Sequence, residues 1–163
     1  MADRTTNTLY ESKAIDRLSV AIANGVALPV GSLVQEEGGY ANHFNGDNTF
    51  LGIVVGGENL SSTQVPTGDT SASPVPTVYV DTSGATITGI PVAGASAQTT
   101  LGEFVYCPDS DLDGATLTQT STDSPIGIMV GWRSATDADV RLFSAIEHLL
   151  GTTAAATPGT DWV

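Results

Sequence analysis

The sequence predicts an all-β fold, and three observations carry that expectation. Apolar and polar residues alternate in short runs from residue 18 to about residue 145. Clusters of Gly, Asn, Asp and Ser separate the runs. Charged residues make up only 14% of the chain, against roughly 25% in a typical soluble domain, and Thr, Ser, Gly and Ala fill the deficit. Eight or more short strands with almost no helix fit a small β-barrel or a sandwich. The 163 residues suit one domain long enough to bury a core.

Residues 1–17 read as an extended polar N-terminal arm with scattered anchors at Leu9, Tyr10 and Ile15. A short helix from Ser12 to Ala23, capped by Ser12, competes with this reading. The strand pattern is sharper: Leu18, Val20 and Ile22 alternate, Asn24-Gly25 follows, and Val26, Leu28 and Val30 alternate again. Two period-two runs around Asn-Gly predict a β-hairpin, because that turn needs positive φ at both central residues.

The next strands are expected at 31–35, 50–55, 77–81, 85–92, 103–107, 115–120, 126–132 and 139–144. A long connection from Gly56 to Pro76, rich in Ser, Thr, Gly and Pro, must cross a surface or be mobile. Residues 145–150 predict one helical turn, which closes a β domain spanning 18–150. Residues 151–163 read as a flexible C-terminal tail.

An internal duplication is visible. Leu28-Pro-Val-Gly-Ser-Leu-Val resembles Thr100-Leu-Gly-Glu-Phe-Val-Tyr, a glycine turn launching a strand. Each is followed by a matching apolar strand, Phe50-Leu-Gly-Ile-Val-Val-Gly and Pro125-Ile-Gly-Ile-Met-Val-Gly, with Gly52 and Gly127 in equivalent places. Glycine inside a strand marks a bulge or a close crossing of backbones. Chance recurrence of Gly-Ile pairs in a Gly-rich chain is the alternative.

Charge restricts function. The net charge is −13, and no lysine or arginine occurs between Arg17 and Arg133, while eleven aspartates and glutamates fall in that gap. The five cations, Arg4, Lys13, Arg17, Arg133 and Arg141, lie only in the flanks. Such a body is not expected to neutralise a phosphate backbone, hold an anionic lipid face or clamp a phosphorylated substrate. No nucleic acid and no membrane is therefore expected as a partner. The basic flanks are where attachment is expected.

Motifs that carry chemistry are sparse. Asp109-Ser-Asp-Leu-Asp-Gly114 begins like a calcium loop, but the twelfth position, which needs a bidentate glutamate, is Thr120. An acidic turn between strands explains it better. His43, His148 and Cys107 are too few and too scattered for a zinc site by spacing. Cys107 reads as a small buried hydrophobe, and a lone cysteine allows no internal disulfide. Glu36-Glu37 adjoin Gly38-Gly39, where solvated charge is the default. No nucleophile elbow, HExxH or phosphate-binding glycine loop appears, so no catalytic residue, metal or cofactor is expected. Trp132, Phe104, Tyr79, Phe50 and Phe143 fall on strands and read as core. Trp162, near the end of the tail, is read either as docked on a neighbouring subunit or as disordered. No apolar run reaches the roughly 18 residues of a membrane span, and the polar opening predicts no secretory signal, hence synthesis in a cytoplasm.

The order of these elements resembles that of the small capsid decoration, or cement, proteins of tailed bacteriophages. The resemblance rests on Val30-Gly-Ser-Leu-Val34, Leu51-Gly-Ile-Val54, Val78-Tyr-Val80, Gly102-Glu-Phe-Val105, Ile126-Gly-Ile128 and Val140-Arg-Leu142, and covers roughly residues 18–144. Here the chain runs on past its closing strand through Phe143–Leu150 and into a tail longer than the pattern requires. The resemblance implies a compact barrel or tulip-like body on the outside of a virion head, bridging major capsid protein subunits. It also implies a homo-oligomer, a trimer before a dimer. Set beside the charge segregation, it makes Arg4, Leu9, Tyr10, Lys13 and Arg17 the expected capsid contacts, and Trp162 an inter-subunit contact. Two rival readings are a carbohydrate-binding or host-attachment β-domain of a virion fibre, and a catalytic β-barrel. Two Trp and four Tyr, most on strands, disfavour the first.

Overall fold

A computed structural model of the chain describes residues 17–46, 48–58, 64–120 and 123–155. Nine strands form two antiparallel sheets that stack as a sandwich-like body, as the all-β expectation requires. The first sheet holds β1 (Arg17–Ala21), β2 (Leu33–Glu37), β3 (Tyr40–His43), β4 (Phe50–Gly57) and β5 (Thr77–Asp81), ordered β1-β5-β4-β2-β3. The second holds β6 (Thr86–Pro91), β7 (Phe104–Cys107), β8 (Ser124–Trp132) and β9 (Asp137–Leu142), ordered β6-β9-β8-β7. One helix, α1 (Ala145–Ala155), follows β9.

The two sheets are two copies of one unit. In the first, Leu33 pairs Ile53 and Val34 pairs Gly52, with a register shift after Val34. In the second, Phe104 pairs Ile128 and Val105 pairs Gly127, with the shift after Val105. The neighbouring ladder repeats too: Ile53–Asp81, Val54–Val80 and Gly56–Tyr79 match Ile128–Arg141, Met129–Val140 and Gly131–Asp139. Main-chain bonds outside the ladders follow suit. Gly31 donates to the Val54 carbonyl at 2.8 Å and Gly102 to that of Met129 at 2.8 Å. Ala23 donates to Ala41 at 3.0 Å and Ala93 to Ala115 at 2.9 Å. The duplication is therefore one of fold, bulge for bulge in these two ladders, although β6–β9 shifts register after Ile87 and β1–β5 does not.

Each unit curls around its own apolar interior. In the first this is Ile22, Leu28, Val34, Ala41, Val54, Val78 and Val80. The corresponding Val92, Val105, Ala115, Met129, Ala138 and Val140 lie within the larger core. Curling brings the edges of the first sheet together at one parallel bridge, Ile22–Ala41, so no closed barrel forms among the described residues. The outer face of the first unit, with Leu33, Phe44, Phe50 and Ile53, packs in the larger core with the second. Leu33 N–H donates to the Ser110 carbonyl at 3.0 Å across that junction.

Several expected elements differ. The Asn24-Gly25 turn forms, with Gly25 at φ 75°, but no hairpin follows from it. Strand β1 pairs with β5, and the polar groups of residues 25–28 bond to Pro66 and Gly68 instead. Pro29 lacks an N–H and breaks any ladder through Val26–Val30. The expected strand at 115–120 shrinks to isolated bridges from Thr116 to Ala93 and Tyr106. Strand β3 was not expected; of its four residues only Ala41 is buried, which leaves no periodic signal. The long connection is partly described, and Thr67 bridges Ala27. The helix runs to Ala155, past the expected boundary at residue 150.

Candidate attachment surface

Of the expected contact residues, the structure describes Arg17 alone; Arg4, Leu9, Tyr10, Lys13 and Trp162 lie outside the described residues. Arg17 opens β1, an edge strand of the first sheet, and pairs with Asp81 in register. Arg17, Leu18 and Ser19 are exposed in sequence, because β1 keeps only its last two residues partly covered. Among the described residues the outer side of β1 is bridged only past its end, at Ile22–Ala41, and an edge strand of this kind is a place where a further strand can add.

Arg133 and Arg141 are the only other cations on the described residues. Arg133 bonds Asp139, and Arg141 Nη2 bonds Glu147 Oε1 at 2.6 Å. Burial pushes the Asp139 carboxyl up, but the Arg133 bond, the Gly89 N–H and the Arg133 charge outweigh it and hold the pKa below the usual value. The Arg141 bond and then the Ser144 N–H do the same for Glu147. Arg133, for its part, is raised by its bond to Asp139.

Ile128 pairs in register with Arg141 on one side and with Phe104 on the other. Phe104 is 52% exposed, Val130 43% and Trp132 40%, so the sequence expectation that Phe104 and Trp132 are core is overturned. Phe104 sits 6.1 Å from Phe143 and 6.4 Å from Tyr106, centroid to centroid. Phe50 alone among the five aromatics is fully buried.

The groups that sequence singled out for chemistry have structural partners. Asp109 Oδ1 accepts from the Asp111 N–H at 2.9 Å and Asp111 Oδ1 from the Asp113 N–H at 3.1 Å, which caps the tight turn Leu112–Gly114. Turned inward on their own main chain, two of the three carboxylates serve the loop. Cys107 is buried; its thiol donates to the carbonyls of Asp109 and Asp111, and burial pushes its pKa up to about 12. His43 Nδ1 lies 3.0 Å from Ser110 Oγ, a contact between the two units. His43 and Cys107 therefore both meet the 109–111 stretch of one loop, a proximity hidden by their sequence separation.

His148 is 3% exposed and packs against Phe44 and Phe50, ring centroids 6.1 and 5.4 Å away. Neither ring nitrogen has a hydrogen-bond partner among the described residues, and burial lowers its pKa. A shallow groove of about 250 Å³ beside β5 is lined by Glu58, Pro66, Thr67 and Pro74–Thr77. Its one titratable side chain, Glu58, accepts from the Thr77 hydroxyl at 3.2 Å. No three His, Cys, Asp or Glu side chains among the described residues converge as a metal site.

Comparison with known proteins gives one structural likeness to report. No family model matches the chain, and no curated protein does. A chain of a solved structure described as the capsid of Myoviridae Phage XM1 is similar over 88% of this chain and 92% of its own. It shares 19% identity with this chain at a TM-score of 0.43.

Proposed function

We propose that this chain is a capsid decoration, or cement, protein: it binds the outer surface of a phage head and bridges major capsid protein subunits. The observation that carries the reading is the segregation of charge. The body has no cation between Arg17 and Arg133, and the N-terminal flank holds three of the five. An acidic body suits the exterior of a shell, away from packaged nucleic acid. The arm, with Arg4, Leu9, Tyr10, Lys13 and Arg17, lies along the capsid and supplies the grip. It is continuous in sequence with β1, an edge strand, and edge strands allow strand addition. The protein acts as a homo-oligomer, a trimer before a dimer, so that several weak footprints add by avidity. It is made in the host cytoplasm, uses no cofactor and performs no catalysis.

The test is a truncation of residues 1–16, which leaves β1 intact. Occupancy on heads lacking the protein is expected to fall at least tenfold relative to full-length chain, the loss that roughly 1.4 kcal/mol of arm contact represents. Unchanged occupancy would show that the arm is not the grip.

A further inference from the structure

We infer that the outward face of the second sheet, centred on Phe104 and Ile128, is the surface through which copies of this chain meet. This deepens the oligomer reading above by naming its contact. Two independent observations carry it.

The first is the duplication. Leu33 and Ile53 of the first unit correspond in register to Phe104 and Ile128 of the second. Leu33 and Ile53 are 0% and 2% exposed, because a unit of the same build packs over them in the larger core. Among the described residues no second unit covers their counterparts: Phe104, flanked by Tyr106 and Phe143, is 52% exposed, and Ile128 is only partly buried. The face that docks a sibling unit within the chain is thus left open at the chain's other end. It has kept its apolar character there, with Tyr106 and Phe143 packed against Phe104, and Ile128 paired with it in register.

The second is charge. At −13, two copies repel over most of their surface. On this face Asp139 and Arg141 alternate with the buried Ala138, Val140 and Leu142, so both point outward. Arg133–Asp139 and Arg141–Glu147 balance each other along its β9 side, and the exposed Glu103 adjoins Phe104 on β7. A cationic partner would be drawn to the acidic body and not to a neutral apolar face. An acidic partner that is neutral and apolar at its own contact fits here, and a second copy meets that description. The same face of each neighbour then packs around the oligomer axis.

The experiment is sedimentation equilibrium on full-length protein, with Phe104→Asp as the probe and Leu18→Ser as an exposed apolar control on β1. Both positions are exposed, so each variant should keep the wild-type circular dichroism spectrum. Expected are a dimer or trimer for wild type and Leu18→Ser, and a dissociation constant weakened by about thirtyfold or more in Phe104→Asp, as for a central aromatic anchor. Rising salt should strengthen wild-type association, since it screens repulsion. A monomeric wild type, or a Phe104→Asp protein that keeps the wild-type mass, would overturn the inference. Binding to heads is scored separately: a monomer that still coats heads sinks this contact and spares the decoration reading.

Discussion

Gly52 crosses the main chain of Asp81 so closely that a Cβ at position 52 would lie 1.9 Å from the Asp81 carbonyl oxygen. Gly127 repeats the crossing in the second unit, where a Cβ would lie 2.2 Å from the Arg141 carbonyl oxygen. Neither neighbour can give way, because both are backbone inside a ladder. Gly52→Ala and Gly127→Ala are each expected to cost about 3 kcal/mol or more, the upper end for forced overpacking. Urea unfolding of the two variants checks this. A loss within experimental error of zero for either would show that the sheets do not cross as described.

His148 gives the fold a weakness to acid. Its folded-state pKa lies below the usual 6.5, so below pH 6.5 the unfolded chain binds the proton more readily than the folded one. Stability should therefore fall as pH drops from 6.5 towards the lower folded value, and be unaffected by this group above 6.5. His148→Phe removes two unsatisfied nitrogens and keeps the ring against Phe44 and Phe50. The variant should be more stable by about 1 kcal/mol at neutral pH, and lose that acid-dependent component. Thermal melts of both proteins from pH 7.5 to pH 5 measure it.

Helix α1 starts at a reciprocal cap. Ser144 N–H donates to Glu147 Oε2 at 2.8 Å, and Glu147 N–H donates to Ser144 Oγ at 3.1 Å. This is a capping box, with Arg141 holding the Glu147 carboxylate in place. Ser144→Ala should destabilise the helix by about 1 kcal/mol, and hydrogen exchange in residues 145–155 should quicken while β8 stays protected. Uniform loss of protection across the whole chain would show that α1 is integral to the core instead.

The Asp139 and Glu147 carboxyls have depressed folded-state pKa values, so their contribution is present above the unfolded values of 3.8 and 4.5. It is lost as pH falls through the lower folded values. Both pairs are solvent-facing, and their loss should be small beside that of His148. Arg141→Gln should leave the melting curve at pH 7 nearly unchanged, within about 1 kcal/mol. A much larger loss would mean that Arg141 holds more than Glu147.

Much of the fold was legible because strand periodicity is local. Strand β5 matched its expected bounds, and Gly52 and Gly127 announced the duplication because both units need the same crossing. What failed was pairing. Asn24-Gly25 specifies a turn, but not what lies across from it, and Pro66 to Gly68 claimed the groups that a hairpin would have used. The helical turn expected from residue 145 begins where α1 does, and the capping box Ser144-Ala-Ile-Glu147 is the physical reason. The open face was not, since Phe104 on a strand has the same pattern whether a neighbouring sheet covers it or solvent does. Only the comparison of Phe104 with Leu33 separates the two cases.

The most direct measurement of the central claim is a titration of purified full-length protein onto phage heads stripped of decoration, followed by sedimentation and cryo-microscopy. The account predicts saturable binding, with density at repeated positions on the outer shell and its contact made by the N-terminal residues. Protein left wholly in the supernatant at saturating concentration, or density on the inner wall, would contradict it.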